Sequence, residues 1–117
     1  MSKRTYFPER GDLIEVNFQP AAGREIDKRR PAIVLTPLHY NRQSGFCIAV
    51  PISSQVAPGP LWIDMPPGYL PLPSQILCDL AKSLDYRERS AIFLNRVPEE
   101  LVREIIDRML DLLDPIP

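Results

Sequence analysis

A charged loop runs without a spacer into an apolar segment, and this junction holds the side chain best placed to do chemistry. The loop GREIDKRR (23–30) carries six charged side chains, and AIVLT (32–36) follows directly after Pro31. Proline restricts the residue before it to an extended conformation, so Arg30 points in a defined direction at the edge of a buried strand. Its guanidinium could form two parallel hydrogen bonds to a phosphate group, whereas a simple solvated charge is the alternative.

A second set of basic residues lies in DLAKSLDYRER (79–89). Lys82, Arg87 and Arg89 stand around Tyr86 along the sequence. Cations interleaved with an aromatic ring suit the backbone and bases of single-stranded nucleic acid. Tyr86 could equally belong to the core.

Several kinds of site are excluded by the residues that the chain lacks. His39 is the single histidine, so neither a two-histidine ribonuclease mechanism nor a histidine-rich metal site is available. Cys47 and Cys78 lie singly in apolar surroundings and are expected to be buried thiols. The sequence has no G-x-S-x-G, P-loop, H-E-x-x-H or G-x-G-x-x-G motif. No metal or cofactor is therefore expected.

The net charge of −1 hides an uneven distribution. The first 97 residues hold twelve basic and nine acidic side chains, whereas 98–117 hold six acidic and two basic ones. A modest positive excess on the body is compatible with a polyanionic ligand.

With 117 residues we expect a single domain, 1–117. The start has no signal-like apolar segment and no run reaches the roughly 18 residues of a membrane span, so we expect a cytosolic protein.

Fourteen prolines divide the chain into short pieces, which favours a barrel or sandwich of brief strands. In the first strand-like segment, alternation places Ile14, Val16 and Phe18 on one buried face. Segment 32–36 is apolar throughout and predicts a central strand buried on both faces. A turn of helix could occupy the connection HYNRQSG (39–45). The six predicted strands are 11–18, 32–36, 46–52, 61–64, 74–84 and 90–95.

The chain ends in a strongly amphipathic segment, predicted to be a helix over 98–114. Pro98 is expected at its first helical position, and Glu99 with Glu100 favour the positive end of the helix dipole. The apolar stripe expected to pack over the barrel consists of Leu101, Val102, Ile105, Ile106, Met109, Leu112 and Leu113. The segment PPGYLPLPS (66–74), with four prolines, is interpreted as a rigid loop, and a partner-binding surface is the alternative.

In this order and spacing, GDLIEVNF, P..GRE....RPAIVLTP, YNRQSG, PISSQ and DLAKSLDYRER resemble the MazF/PemK family of toxin endoribonucleases. The resemblance implies a mainly β fold, a small SH3-like (CcdB/PemK-type) barrel of about six short strands with a C-terminal amphipathic helix. It also implies a homodimer that cuts single-stranded mRNA at selected sequences without a metal ion, leaving a 2′,3′-cyclic phosphate. The expected inhibitor is an acidic segment of a cognate antitoxin.

The same resemblance implies roles for individual residues. Arg30 corresponds to the arginine of the family's R-P-A strand, the candidate for stabilising the transition state. Ser53, in PISSQ, falls where the family usually has threonine or serine and could hold a phosphate oxygen. Glu25, in the G-x-E of the loop, could act as base or orient Arg30 by an ion pair. The expected RNA contacts are Phe18, Arg24, Lys28, Arg29, Ser54, Gln55, Asp79, Lys82 and Arg87.

Two departures from the family pattern concern specificity. Leu80 stands where many relatives have glutamine, and the 66–74 segment replaces a shorter, more charged connection. His39 is not at a matching catalytic position and is expected in a loop.

The alternatives are a non-catalytic toxin that binds a protein target, as CcdB-type gyrase poisons do, and a degenerate inactive relative. Retention of both Arg30 and Ser53 favours the endoribonuclease.

Overall fold

The computed structural model describes residues 5–18, 29–55, 59 and 61–115. Within these residues it contains seven β-strands, two α-helices and one short 3₁₀ helix. The strands are β1 (Asp12–Asn17), β2 (Arg29–Val34), β3 (Phe46–Ser53), β4 (Trp62–Asp64), β5 (Gln75–Leu77), β6 (Lys82–Asp85) and β7 (Ile92–Arg96). The helices are α1 (Leu38–Ser44), α2 (Glu99–Leu113) and the 3₁₀ helix Cys78–Leu80.

The prediction of six strands is wrong by one, because the fifth predicted strand is two strands. β5 pairs with the end of β3 through Ile52 and Ile76, and β6 pairs with the start of β3 through Cys47 and Leu84. The 3₁₀ helix between them carries the chain from one half of β3 to the other. A strand of eight residues is long enough to pair with two short partners in succession along one edge.

The strands form one antiparallel sheet in the order β4-β5-β3-β2-β1-β7, with β6 beside β3. A mainly β fold with a C-terminal helix is confirmed. The expected SH3-like barrel is open, because the end strands β4 and β7 of the described sheet do not pair with each other.

Apolar residues are buried on both faces of this sheet. Along β2, Ile33 joins one core cluster while Ala32 and Val34 join the other, which confirms a central strand buried on both faces. Strand residues point alternately to opposite faces, so a central strand covered twice must be apolar throughout. One cluster packs under α2, and the other includes Phe18 and Tyr86.

Both helices lie where the sequence predicts them, but the start and the packing of α2 differ from the prediction. α1 confirms the helical turn proposed between the second and third strands. α2 begins at Glu99, so Pro98 precedes the helix as its N-cap and is not the first helical residue. Leu112 and Leu113 are exposed, so the predicted apolar stripe packs only along its first part. No helix in the described part of the chain is both long and apolar enough to cross a membrane.

Candidate active site

Arg30 and Ser53 lie at the same end of neighbouring strands. In the pairing of β2 with β3, Ala32 stands opposite Pro51, and Arg30 and Ser53 each lie two residues beyond this last pair. Both residues border one surface cavity of about 410 Å³, called the Ser53 cavity below. The sheet therefore brings together the two side chains that the sequence suggested for binding a phosphate.

The Ser53 hydroxyl is oriented by the backbone that follows it. The backbone N–H of Gln55 donates to Ser53 Oγ over 3.1 Å. Because this bond uses a lone pair of the oxygen, the hydroxyl hydrogen stays available for donation. Ser54 and Gln55 are exposed and continue the lining of the Ser53 cavity. The end of β3 thus supplies one oriented hydroxyl and a neighbouring amide side chain.

The two arginines of β2 have different surroundings. Arg29 donates to the Glu15 carboxylate over 3.2 Å, to the Glu15 carbonyl over 3.0 Å and to the Ser90 carbonyl over 2.7 Å. Arg30 is exposed, and no residue in the described part of the chain forms an ion pair or hydrogen bond with its side chain. Arg29 also borders the Ser53 cavity, but its guanidinium ties β1 to the turn before β7.

Arg30 also borders a second surface cavity, of about 470 Å³, called the Lys82 cavity below. Among the described residues, Arg30 is the one that lines both cavities. A polymer with a phosphate at Arg30 could therefore extend into both. The other residues of the Lys82 cavity are Phe18, Pro51, Leu77, Asp79, Leu80, Ala81 and Lys82.

Asp79 and Lys82, two of the expected RNA contacts, both fall in the predicted strand 74–84 but do not lie on one strand. Asp79 belongs to the 3₁₀ helix and accepts the indole N–H of Trp62 over 2.9 Å, while Lys82 begins β6. Lys82 is exposed and adds a second cation to the cavity that Arg30 borders. Leu80 is also exposed there, so an apolar side chain stands at the position where the resemblance suggested glutamine.

Phe18 is both a core residue and part of the site. It is buried in the cluster with Val16 and also lines the Lys82 cavity. Arg89 holds this end of β1 by donating to the carbonyls of Asn17 and Phe18 over 3.2 and 2.9 Å. A core aromatic residue therefore also borders the cavity at Arg30.

The basic cluster suggested around Tyr86 does not form. Tyr86 is a core residue whose hydroxyl donates to the carbonyl of Asn41. Arg87 lies toward the opposite end of β6 from Lys82, with its guanidinium carbon 6.0 Å from the centre of the Phe7 ring. It lines a cavity with Arg42 and Phe46, away from Arg30.

The remaining candidates lie elsewhere or outside the described residues. His39 is exposed on α1, not in a loop, and borders a shallow cavity with Arg42. Arg24, Glu25 and Lys28 fall within 19–28, outside the described residues.

Both cysteines are free and buried, as predicted. Cys78 lies directly before Asp79, and burial raises the pKa of its thiol to about 11. A thiol nucleophile must be ionised and accessible. Cys78 is neither at neutral pH, so it has no part in the chemistry of the neighbouring cavity.

The 66–74 segment borders the candidate site, whereas the sequence suggested a rigid loop or a partner-binding surface. Leu70, Pro71, Leu72 and Ser74 line the Ser53 cavity together with Arg30. The contact depends on the pairing of β5 with β3, in which Gln75 stands opposite Ser53. Because this pairing is long-range, the only local signal was the density of prolines.

Comparison with known proteins shows the family of the chain. Residues 9–113 match the model of the family described as PemK-like, MazF-like toxin of type II toxin-antitoxin system. The chain belongs to this family. Its relatives include the endoribonuclease toxin MazF of Escherichia coli K12, which is 38% identical over 97 residues, 82% of this chain and 86% of that protein.

Solved structures agree with the PemK-like, MazF-like assignment. MazF from Deinococcus radiodurans has a TM-score of 0.81 and 36% identity, covering 93% of this chain and 98% of that one. A MazE–MazF crystal structure from the same organism has a TM-score of 0.79 and 32% identity, covering 94% and 98%. The matched range 9–113 includes every residue that borders the two cavities at Arg30, so the site is part of the MazF-like domain itself.

Proposed function

We propose that this protein cleaves single-stranded mRNA at short preferred sequences, without a metal ion, and that Arg30 and Ser53 stabilise the transition state. Its family and its 38% identity to an endoribonuclease toxin make it a toxin endoribonuclease. The observation that supports the mechanism is that Arg30 and Ser53, each two residues beyond the last pair of β2 and β3, border one cavity. Both side chains have hydrogen-bond donors that can be used by a phosphate.

The proposed reaction is an internal phosphoryl transfer. The 2′-oxygen bonds to phosphorus while the bond from phosphorus to the 5′-oxygen of the next nucleotide breaks. The products are a 2′,3′-cyclic phosphate and a 5′-hydroxyl. A base takes the proton of the 2′-hydroxyl, and the departing 5′-oxygen gains a proton from a general acid or from water.

Negative charge grows on the non-bridging phosphate oxygens as the new bond forms. The guanidinium of Arg30 can donate two parallel hydrogen bonds to these oxygens, and the hydroxyl of Ser53 can donate a third. Donors that are already aimed at developing charge each contribute about 100-fold to 1000-fold in rate. Arg30 is exposed in the free protein, so it needs no displacement of a described partner before it binds a phosphate.

Glu25 is the proposed carboxylate of the reaction, at the position that the family resemblance indicates. If Glu25 removes the 2′-hydroxyl proton, Glu25→Gln lowers the cleavage rate by a similar factor in wild type and in Arg30→Ala. If Glu25 only orients Arg30, Glu25→Gln has little further effect once Arg30 is alanine. The double-mutant cycle therefore separates a base from a positioning residue.

The expected partners follow from the same family. MazE–MazF complexes are known among the relatives, and we propose that a cognate antitoxin places an acidic segment over Arg30.

We also propose a homodimer in the cytoplasm, where mRNA and antitoxin are present. The outer strand β7 supports a dimer, because its large apolar side chains Ile92, Phe93 and Leu94 are exposed. Light scattering of wild type and Phe93→Glu tests this: a dimer that dissociates in the variant supports the surface, and a monomeric wild type overturns it.

The function is tested by incubating purified protein with a long single-stranded RNA in EDTA. Site-specific fragments ending in a 2′,3′-cyclic phosphate are expected. Intact RNA together with stalled gyrase would instead favour a toxin of the CcdB type, and an inert protein would indicate a degenerate relative. Cleavage that requires added metal would overturn the metal-independent mechanism alone.

A further inference from the structure

The 66–74 segment is a closed loop that is held at its base. The N–H of Met65 donates to the carbonyl of Ser74 over 2.9 Å, and next to it Asp64 pairs with Gln75 between β4 and β5. Tyr69 and Leu70 pack against the core cluster beneath α2. The loop is thus fixed by a backbone hydrogen bond and by apolar contacts, not only by its ends.

The part of the loop that faces the site is also ordered by its own chemistry. Pro71 and Pro73 fix the backbone on either side of Leu72, because the pyrrolidine ring restricts φ. The Ser74 hydroxyl donates to the carbonyl of Leu72 over 2.9 Å. Despite these restraints, the Leu72 side chain is 62% exposed. A leucine held rigidly in water contributes little to the core, which makes its position at the cavity informative.

The lining of the Ser53 cavity combines polar and apolar groups. Arg30, Ser53 and Gln55 supply cationic and hydrogen-bonding groups, while Leu70 and Leu72 with Pro71 supply an apolar surface. A nucleotide has the same division, since its phosphate is charged and the faces of its base are apolar. Binding sites of this kind combine an apolar lining with a few polar groups that fix orientation.

We infer that Leu72 packs against the base of a nucleotide adjoining the phosphate at Arg30, and so limits which bases are accepted there. The inference rests on the proposed function. Gln55, with an amide that both donates and accepts, lines the same cavity and can read the edge of that base. Leu72 acts through shape: shortening it enlarges the cavity, and a larger base is then tolerated.

The test compares wild type with Leu72→Ala, Leu72→Met and Leu113→Ala on RNA whose positions flanking the cut are randomised. Leu113, at the end of α2, is 74% exposed and serves as a matched exposed leucine away from the site. For Leu72→Ala we expect base discrimination at one flanking position to fall roughly fivefold and KM to rise roughly fivefold, with kcat little changed. Leu72→Met, of similar volume, should retain the wild-type preference, and Leu113→Ala should match wild type.

The outcomes distinguish this inference from the proposed function. If wild type cuts and Leu72→Ala keeps both the preference and the KM of wild type, the inference is overturned while the function stands. If wild type binds RNA without cutting, the proposed function fails, and the affinity of Leu72→Ala for abasic and intact oligonucleotides still decides the inference. A wild type that neither cuts nor binds RNA overturns both. Thermal unfolding of each variant shows whether a change in cleavage is due to misfolding. If Leu72→Ala does not fold, the base preference of Leu72→Met still tests the inference.

Discussion

Arg29 and Arg30 are adjacent in β2, yet Arg29 is bonded to Glu15 and Ser90 while Arg30 is exposed between the two cavities. Successive strand residues point to opposite sides, so one arginine can hold the sheet and the next can face a ligand. The first is predicted to matter for stability and the second for activity.

Arg29→Ala should lower the free energy of unfolding by about 1 kcal/mol, because it removes several partly exposed hydrogen bonds. Arg30→Ala should leave that free energy within about 0.5 kcal/mol of wild type, as surface substitutions usually do. Urea unfolding of the two variants measures the difference. Equal destabilisation by both substitutions would contradict the division of roles.

Ser53 should tolerate threonine but not alanine. Ser53→Thr keeps a hydroxyl that can accept from the Gln55 N–H and donate to a phosphate, so activity should stay near that of wild type. Ser53→Ala removes that donor and should lower kcat by about 100-fold to 1000-fold. Single-turnover cleavage rates provide the measurement, and Ser83→Ala is the control, on an exposed serine that borders neither cavity at Arg30. Undiminished cleavage by Ser53→Ala would exclude Ser53 from the transition state.

The strands could be predicted because their signals are local, whereas Ser53 was proposed as the partner of Arg30 from the family resemblance. The alternation in β1 and the apolar run in β2 indicate directly which residues are buried. The R-P junction indicates that Arg30 is extended and that its side chain points in a defined direction. The division of 74–84 into β5 and β6 could not be predicted, because both strands pair with β3 at sites far away in sequence.

Grouping by sequence was also misleading around Tyr86. Lys82, Arg87 and Arg89 are close along the chain, but β6 separates the first from the other two, and Tyr86 packs into the core. Spacing alone does not report which way a strand runs. The position of Leu72 beside Ser53 was likewise invisible, since it follows from the pairing of β5 with β3.

Lys82 should contribute to RNA affinity mainly through charge. Lys82→Ala is expected to reduce the slope of log Kd against log salt concentration by about 0.7, the value for one phosphate contact on a single strand. Arg103→Ala, on the exposed side of α2, should leave the slope unchanged. Fluorescence anisotropy with an oligonucleotide carrying 2′-deoxyribose at the cut site measures both without cleavage. An unchanged slope for Lys82→Ala would remove Lys82 from the RNA path.

Cys47 should make stability depend on alkaline pH. Burial raises the pKa of its thiol from the ordinary 9.0 to about 12. The thiol ionises at lower pH in the unfolded state than in the folded state. Its contribution to the free energy of unfolding is therefore fully present below pH 9 and is lost as pH rises toward about 12. Cys47→Ala should therefore lose stability less steeply than wild type across this window, in urea unfolding at several pH values. If the free energies of unfolding of wild type and Cys47→Ala change with pH by the same amount, the buried thiol does not titrate as described.

The central claim is that Arg30, at the same cavity as Ser53, stabilises the transition state of metal-independent RNA cleavage. The most direct measurement is the single-turnover rate in EDTA for wild type, Arg30→Ala and Arg30→Lys on one RNA, with the 3′ ends of the products identified. We predict cyclic-phosphate ends for wild type, a fall of at least about 100-fold for alanine, and incomplete rescue by lysine, which cannot form the paired hydrogen bonds. Equal rates for wild type and Arg30→Ala, with both proteins folded, would contradict the claim.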